Sequence, residues 1–172
     1  MNVITTQIYH SPVGEIILGS YENRLCLANW KYGKHRERVE KRVATVLKAK
    51  YMETSSDVIE ETKKQLDEYF RGQRELFDIP LLMAGTAFQK SVWEALLQIP
   101  YGETASYAAQ AKCIGNPKAV RAVASANAAN AISILIPCHR IIGKNGTLTG
   151  YAGGLDVKKK LLELEQRSQI CT

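Results

Sequence analysis

The sequence predicts an α/β N-terminal unit, residues 1–80, followed by a mostly α-helical C-terminal unit, residues 81–172, that contains a helix-turn-helix. Three observations predict it. Short strand-like runs separated by turn residues fill the first 30 positions. Apolar side chains recur at helical spacing further on. Three consecutive punctuation residues, Gly115-Asn116-Pro117, then fall between two short helical stretches. At 172 residues the chain can bury one sizeable core or two small ones.

The elements follow in order. Residues 3–9, 15–20 and 24–30 read as strands, divided by Ser11-Pro12-Val13-Gly14 and Glu22-Asn23, and are expected to form an antiparallel β-sheet. Residues 35–50 read as a helix whose Lys, Arg and Glu form a solvated face. Asp57 opens a second helix, in which Val58, Ile59, Thr62, Leu66, Tyr69 and Phe70 keep helical spacing until Arg71-Gly72 stops it. Residues 73–85, with Pro80 and little periodicity, read as a linker. Thr86 with Gln89 forms a capping box ahead of an apolar face of Phe88, Val92, Trp93, Leu96 and Leu97. Ile99-Pro100-Tyr101-Gly102 ends that helix, and Ser106 caps a short one running to about Ile114. Gly115 is the expected helix-ending residue, Asn116 the next cap and Pro117 the first helical position. A last helix over 156–167 places Val157, Leu161 and Leu164 on one face.

Composition narrows the function. There are 23 basic and 17 acidic residues, a net charge of +6, which is compatible with nucleic acid without being diagnostic. No apolar run reaches membrane-spanning length, and the first residues lack the basic start and apolar stretch of a signal peptide. Cys26, Cys113, Cys138 and Cys171 are scattered with no Cys-x-x-Cys pair, which argues against a disulfide framework or zinc ribbon and for a reducing cytoplasm. His10, Cys26 and His35 match no metal-ligand spacing, so neither a metal nor a cofactor is expected.

One segment carries chemistry. In Ile134-Leu135-Ile136-Pro137-Cys138-His139-Arg140-Ile141-Ile142, a thiol and an imidazole are set between apolar runs. Burial alone raises a thiol's pKa and leaves it inert, so a reactive Cys138 needs a neighbour such as His139, with Arg140 adding positive potential. Residues 117–129 hold seven Ala or Ser around the long cation Arg121. Val120, Val123, Ala124 and Asn127 are expected to face the core; Ala122, Ser125, Ala126 and Ala129 leave the other side bare. A helix reading the major groove normally presents long polar side chains. Small ones instead let a helix approach a minor groove closely, with the lone arginine filling a gap in the base stack. Alanine also simply favours helix and close packing.

From Phe88 to Glu165 the chain closely resembles the O6-alkylguanine-DNA alkyltransferases. The matching segments are Pro100-Tyr101-Gly102-Glu103-Thr104, Ser106-Tyr107, Gly115-Asn116-Pro117-Lys118-Ala119, Arg121-Ala122-Val123, Asn130, Pro137-Cys138-His139-Arg140 and Gly150-Tyr151-Ala152-Gly153-Gly154. The N-terminal part matches only through Ser11-Pro12-Val13-Gly14. The resemblance implies a ribonuclease H-like N-terminal domain and irreversible transfer of an alkyl group from O6-alkylguanine in double-stranded DNA, with O4-alkylthymine a second candidate substrate, to Cys138. It implies a monomer that works without a cofactor, in the cytoplasm with the nucleoid, or in the nucleus of a eukaryotic source. His139 and Glu165 would complete a Cys-His-Glu network, and Asn130 would brace the turn carrying the cysteine. Tyr107 would rotate the nucleotide out and donate to N3 of guanine, and Arg121 would occupy the vacated space. Ala119, Ala122, Ser125 and Ala126 would meet DNA, and Ile136, Pro137, Ile141, Tyr151, Ala152 and Gly153 would line the base pocket. Ala152 replaces a serine of some members, Asn127 replaces a larger apolar residue, and Gly153 is expected to keep the pocket rim small. A cysteine hydrolase built on Cys138, His139 and Glu165 is the alternative from another class, and it would turn over repeatedly. A non-catalytic damage-binding module is the third; the presence of Cys138 counts against it.

Overall fold

The computed structural model describes residues 2–170, with side chains as far as Arg167, so Cys171 lies outside the described residues. The chain runs β1 (Val3–Ser11), β2 (Gly14–Tyr21), β3 (Arg24–Trp30), α1 (Arg36–Leu47), β4 (Lys50–Glu53) and α2 (Asp57–Phe70), then α3 (Ala87–Leu96), β5 (Ala105–Ser106), α4 (Tyr107–Cys113), α5 (Val120–Ala128), β6 (Ile141–Ile142) and α6 (Leu155–Ile170). A sheet-and-helix N-terminal unit thus precedes a helical C-terminal one. Among the described residues no helix is long and apolar enough to cross a membrane.

The large sheet has the order β3-β2-β1-β4. It is mixed rather than wholly antiparallel, because β4 pairs parallel to β1. Helix α1 carries the chain from β3 over the sheet to its far edge, where a crossover delivers a parallel strand. Lys48 in the left-handed region, φ 51°, ends α1 ahead of this strand. All four residues of β4 are exposed, so no alternation marks it in the sequence.

Ser56 caps α2 by accepting from the Ile59 N–H at 3.2 Å. Ile59, Leu66 and Tyr69 are fully buried against the sheet, each worth roughly 1.5–3 kcal/mol. The charged face expected on α1 is interrupted by Arg42, which turns inward. Its Nε donates to the Ala84 carbonyl at 3.2 Å and its Nη2 to the Ala129 carbonyl at 2.5 Å.

The segment read as a linker is stitched to the sheet. The Leu25 N–H donates to the Pro80 carbonyl and the Leu82 N–H to the Leu25 carbonyl, both at 2.8 Å. Further along β3, the Ala28 N–H donates to the Ala131 carbonyl and the Ser133 N–H to the Ala28 carbonyl, again at 2.8 Å. These contacts occupy the outer edge of β3, which would otherwise offer unpaired groups. They also fix where the chain enters the segment leading to Cys138.

In the C-terminal unit, Thr86 and Gln89 form the capping box of α3. Leu97 is 42 % exposed and so lies off the apolar face assigned to it. Gly115, φ +78°, ends α4. Helix α5 begins at Val120 rather than at Pro117. Asn116 makes no cap; its carbonyl accepts from the Ala119 N–H at 3.0 Å and closes a turn. The helical bonds start only with Val123 N–H to Ala119 carbonyl, 2.8 Å.

Candidate active site

The reactive segment is built on that β3 anchor. After Ser133, Ile134 takes a left-handed backbone, φ +71°, a costly conformation for a β-branched residue that its surroundings must impose. The Leu135 N–H donates to the Ser133 carbonyl (2.9 Å) and the Ile136 N–H to the Ile132 carbonyl (3.0 Å), which closes a tight turn. Asn130, 3 % exposed, braces it from within. Its Oδ1 accepts from the Ile132 N–H (3.0 Å), and its Nδ2 donates to the Ile136 carbonyl (2.9 Å) and reaches Cys138 Sγ at 3.3 Å. One turn of 3-10 helix, Cys138–Arg140, follows. Strand β6 then pairs with β5, bringing Ser106, the cap of α4, alongside. Tyr107, the first residue of α4, is thereby set beside the thiol's turn.

Glu165 is fully buried on α6, with Leu161 and Lys158 on the same face. Its Oε2 accepts from His139 Nε2 at 2.7 Å and from the Tyr69 hydroxyl at 2.7 Å. Arg140 pairs with it bidentately, Nε to Oε1 at 2.8 Å and Nη2 to Oε2 at 3.1 Å. Burial pushes the carboxyl's pKa up, but the hydrogen bonds and charges of His139 and Arg140 outweigh it and hold the group at about 2. An ionised carboxylate can only accept, so Nε2 is the ring nitrogen that donates to Glu165 and Nδ1 is the one left to exchange a proton. Nδ1 has no protein partner among the described residues, which leaves it the basic nitrogen of the ring.

Burial pushes the Cys138 thiol above the ordinary thiol range, against the Asn130 amide and the charge of Lys158, which both pull it down. Lys158 is itself fully buried, its Nζ donating to the Thr149 carbonyl at 2.8 Å. The resting sulfur is therefore a protected thiol whose neighbours favour its ionised form.

Cys138 lines a cavity of about 420 Å³. Tyr107 of α4 and Ala124, Asn127 and Ala128 of α5 form one side; Tyr151, Ala152 and their loop form another. Lys34 and His35, between β3 and α1, close the rim from the N-terminal unit. Asn127 is held by Gln110 through reciprocal amide hydrogen bonds, both 2.8 Å. The larger hollow, about 760 Å³ over the sheet beside Ile8, Ile17 and Tyr51, contains no thiol.

Several expected positions differ. Ile136 and Ile141 are core residues at 1 % and 0 % exposure, and neither they nor Pro137 nor Gly153 line the cavity. A Cβ on Gly153 would come within 2.8–2.9 Å of the Trp30 indole, so its missing side chain makes room for Trp30 and not for a substrate. Arg121, Ala122 and Ser125 are exposed on α5 and Ala119 is half-buried just ahead of it. Ala126 is buried, its carbonyl accepting from Trp93 Nε1 at 2.8 Å, so it belongs to the core and not to a bare face. Ala124 is only half-buried and Val120 is exposed, because the later start of α5 leaves Val123, Ala126 and Asn127 inward. Sequence reasoning missed Tyr69, Lys158 and the pairing role of Arg140. The one signal available was polar residues at core spacing, Lys158 and Glu165 flanking Leu161 on one helix face. Among the described residues no three His, Cys, Asp or Glu side chains converge as metal ligands.

Comparison with known proteins matches this geometry to one family. Residues 4–83 match the ribonuclease-like domain of 6-O-methylguanine DNA methyltransferase, and residues 87–167 match its DNA binding domain. A methylated-DNA–protein-cysteine methyltransferase of Methanosarcina acetivorans is 48% identical over 158 residues, covering 92% of this chain and 96% of that protein. The constitutive methyltransferase of that name from Bacillus subtilis is 45% identical over 172 residues, with 98% of each covered. Mycobacterium tuberculosis OGT, solved in complex with DNA, superposes with a TM-score of 0.80 at 38% identity, covering 96% of this chain and 94% of that one.

Proposed function

The chain belongs to the 6-O-methylguanine DNA methyltransferase family, and from that premise we propose that Cys138 is the residue that takes the alkyl group from O6-alkylguanine in duplex DNA and keeps it. The protein is a DNA repair methyltransferase that acts on double-stranded DNA. The observation that carries the residue assignment is Cys138 on the cavity wall, hydrogen-bonded by Asn130 and followed in sequence by the buried His139–Glu165 pair.

The alkyl carbon is saturated, so the sulfur attacks in line with the departing guanine oxygen. His139 Nδ1 takes the thiol proton by way of an intervening water, and Glu165, held by Arg140 and Tyr69, fixes the ring and stabilises its charged form. Asn130 and Lys158 stabilise the sulfur as it ionises. The guanine leaves as an anion unless protonated, and the Tyr107 phenol, on the cavity wall, supplies N3 with a proton. Inside a duplex the alkyl group is out of reach, so the nucleotide must be extruded, at a cost of a few kcal/mol.

Helices α4 and α5 serve as the helix-turn-helix, with α5 entering the minor groove. Supporting this, the exposed side of α5 combines Ala122 and Ser125 with the single long cation Arg121. The natural setting is the cytoplasm, with the nucleoid. The product, an alkyl-cysteine, is a thioether with no carbonyl for water to attack, so each molecule acts once.

The test is to mix the protein with duplex carrying O6-methylguanine and measure intact and peptide masses. One methyl per molecule on the peptide containing Cys138, and none after Cys138→Ser, is expected. Methyl on another peptide, or repeated turnover by one molecule, overturns the assignment.

A further inference from the structure

Thr149 is outside the constellation above, yet three contacts fix it beside Tyr107. Its carbonyl accepts from the buried Lys158 ammonium at 2.8 Å, which holds its backbone. Its methyl lies against Gly143, where an added Cβ would come within 3.0 Å of Thr149 Cγ2. Its hydroxyl lies 2.8 Å from the Tyr107 hydroxyl. A β-branched side chain is stiff about χ1, so with the backbone pinned and the methyl seated, the hydroxyl has one direction left. That direction is toward the phenol.

We infer that Thr149 is the positioning residue that sets the Tyr107 phenol for proton delivery during alkyl transfer, an inference that rests on the role given to Tyr107 above. As Cys138 sulfur bonds to the alkyl carbon, the carbon–O6 bond breaks and its electron pair enters the purine. The Tyr107 O–H gives its proton to N3, which leaves a neutral purine and a phenolate. The Thr149 O–H donates to that phenolate oxygen. The proton that His139 took from the thiol balances its charge and then passes through solvent to the phenolate, which restores neutral imidazole and phenol. A threonine hydroxyl that donates to Tyr107 does two things: it leaves the phenolic proton free for the base, and it stabilises the oxygen left behind.

The experiment compares single-turnover methyl transfer from duplex containing O6-methylguanine and duplex containing O6-methyl-3-deazaguanine, in which carbon replaces the N3 acceptor. Thr149→Val keeps volume and methyl and loses the hydroxyl; Thr149→Ser restores the hydroxyl. On O6-methylguanine, Thr149→Val should slow transfer about tenfold at saturating DNA, the worth of one hydrogen bond, with DNA affinity unchanged. Thr149→Ser should recover most of the rate. On the 3-deaza duplex, Thr149→Val and wild type should agree within about twofold, because no proton is passed there. Gly143→Ala, which touches no substrate and displaces the Thr149 methyl, should repeat the same substrate-dependent loss. Equal slowing on both purines, or a serine variant as slow as the valine, overturns the inference while leaving the Tyr107 role standing. Wild-type protein that transfers equally fast from both purines removes the Tyr107 role and this inference together, and methylation still found on Cys138 would show the main assignment intact.

Discussion

A carboxylate with no solvent exposure stays ionised in this protein because Arg140 and His139 face it, and that dependence gives Glu165 a measurable signature. Its folded pKa is about 2, below the roughly 4.3 of an unfolded glutamate. A depressed carboxyl contributes stability that is fully present above the unfolded value and is lost as pH falls toward the folded one. Urea midpoints should therefore decline as pH drops from about 5 to 2, and Glu165→Gln should flatten much of that decline. At neutral pH the same variant leaves the Arg140 guanidinium buried without its counter-charge, a loss of about 3–5 kcal/mol by urea titration. Wild-type stability in that variant would mean Arg140 had found water instead. Cys138, His139 and Arg140 were legible as candidates because they are contiguous and flanked by apolar runs. Tyr69 and Lys158 were not, since a tyrosine and a lysine on amphipathic helices look the same whether they pack, reach solvent or reach a distant carboxylate.

Between α4 and α5 the specific tie is the Gln110–Asn127 amide pair, which locks the two helices together with both side chains nearly out of solvent. Replacing one partner by an apolar residue of like size strands the other's donor and acceptor. Gln110→Met and Asn127→Leu should each lose about 1–3 kcal/mol, while the double variant should lose clearly less than their sum. Strict additivity in denaturant titrations would mean the two amides do not depend on each other. On the opposite side of α5, Arg121→Ala should weaken repair in duplex more than reaction with free O6-benzylguanine, since only the duplex has a stack to fill; equal losses would remove that role. The elements with strong periodicity or clear caps, β1 to β3, α2, α3 and α4, were readable within a few residues. Strand β4 was not, because four exposed residues carry no alternation. The start of α5 was misread because Asn-Pro after Gly is the pattern of a capped helix, yet here the Asn116 carbonyl closes a turn four residues before the helix begins. The extended segment after α2 passed for a linker because its pairing partners, Leu25 and the β3 edge, lie some 55 residues away in sequence and leave no local trace.

Across the whole molecule, the N-terminal unit is a working part of the site. Its β3 edge positions Ala131 and Ser133, its Tyr69 holds Glu165, and its Arg42 reaches the end of α5. Trp30 completes the set. Its ring fills the space a side chain on Gly153 would need, and its Nε1 donates to the Tyr151 hydroxyl at 3.2 Å, so the loop on the cavity wall rests on the sheet. Gly33, beside Trp30, lies close to the Ala152 carbonyl, which leaves that loop little room to slide. This geometry makes Gly153→Ala a test of the coupling between the two units. The new methyl meets indole atoms of a side chain only 3 % exposed, which cannot swing aside as a flexible surface chain would. Either the indole or the loop at 151–154 must shift, at about 1–3 kcal/mol, and the loop carries Tyr151 and Ala152 on the cavity wall. Gly153→Ala should therefore lower the denaturant midpoint and slow Cys138 methylation together. Gly150→Ala is the matched control: its Cβ would meet nothing within 4 Å, so its stability should stay within about 0.5 kcal/mol of wild type. If Gly153→Ala lost stability while Cys138 reacted at the wild-type rate, the sheet would be supporting the fold alone and not the shape of the cavity.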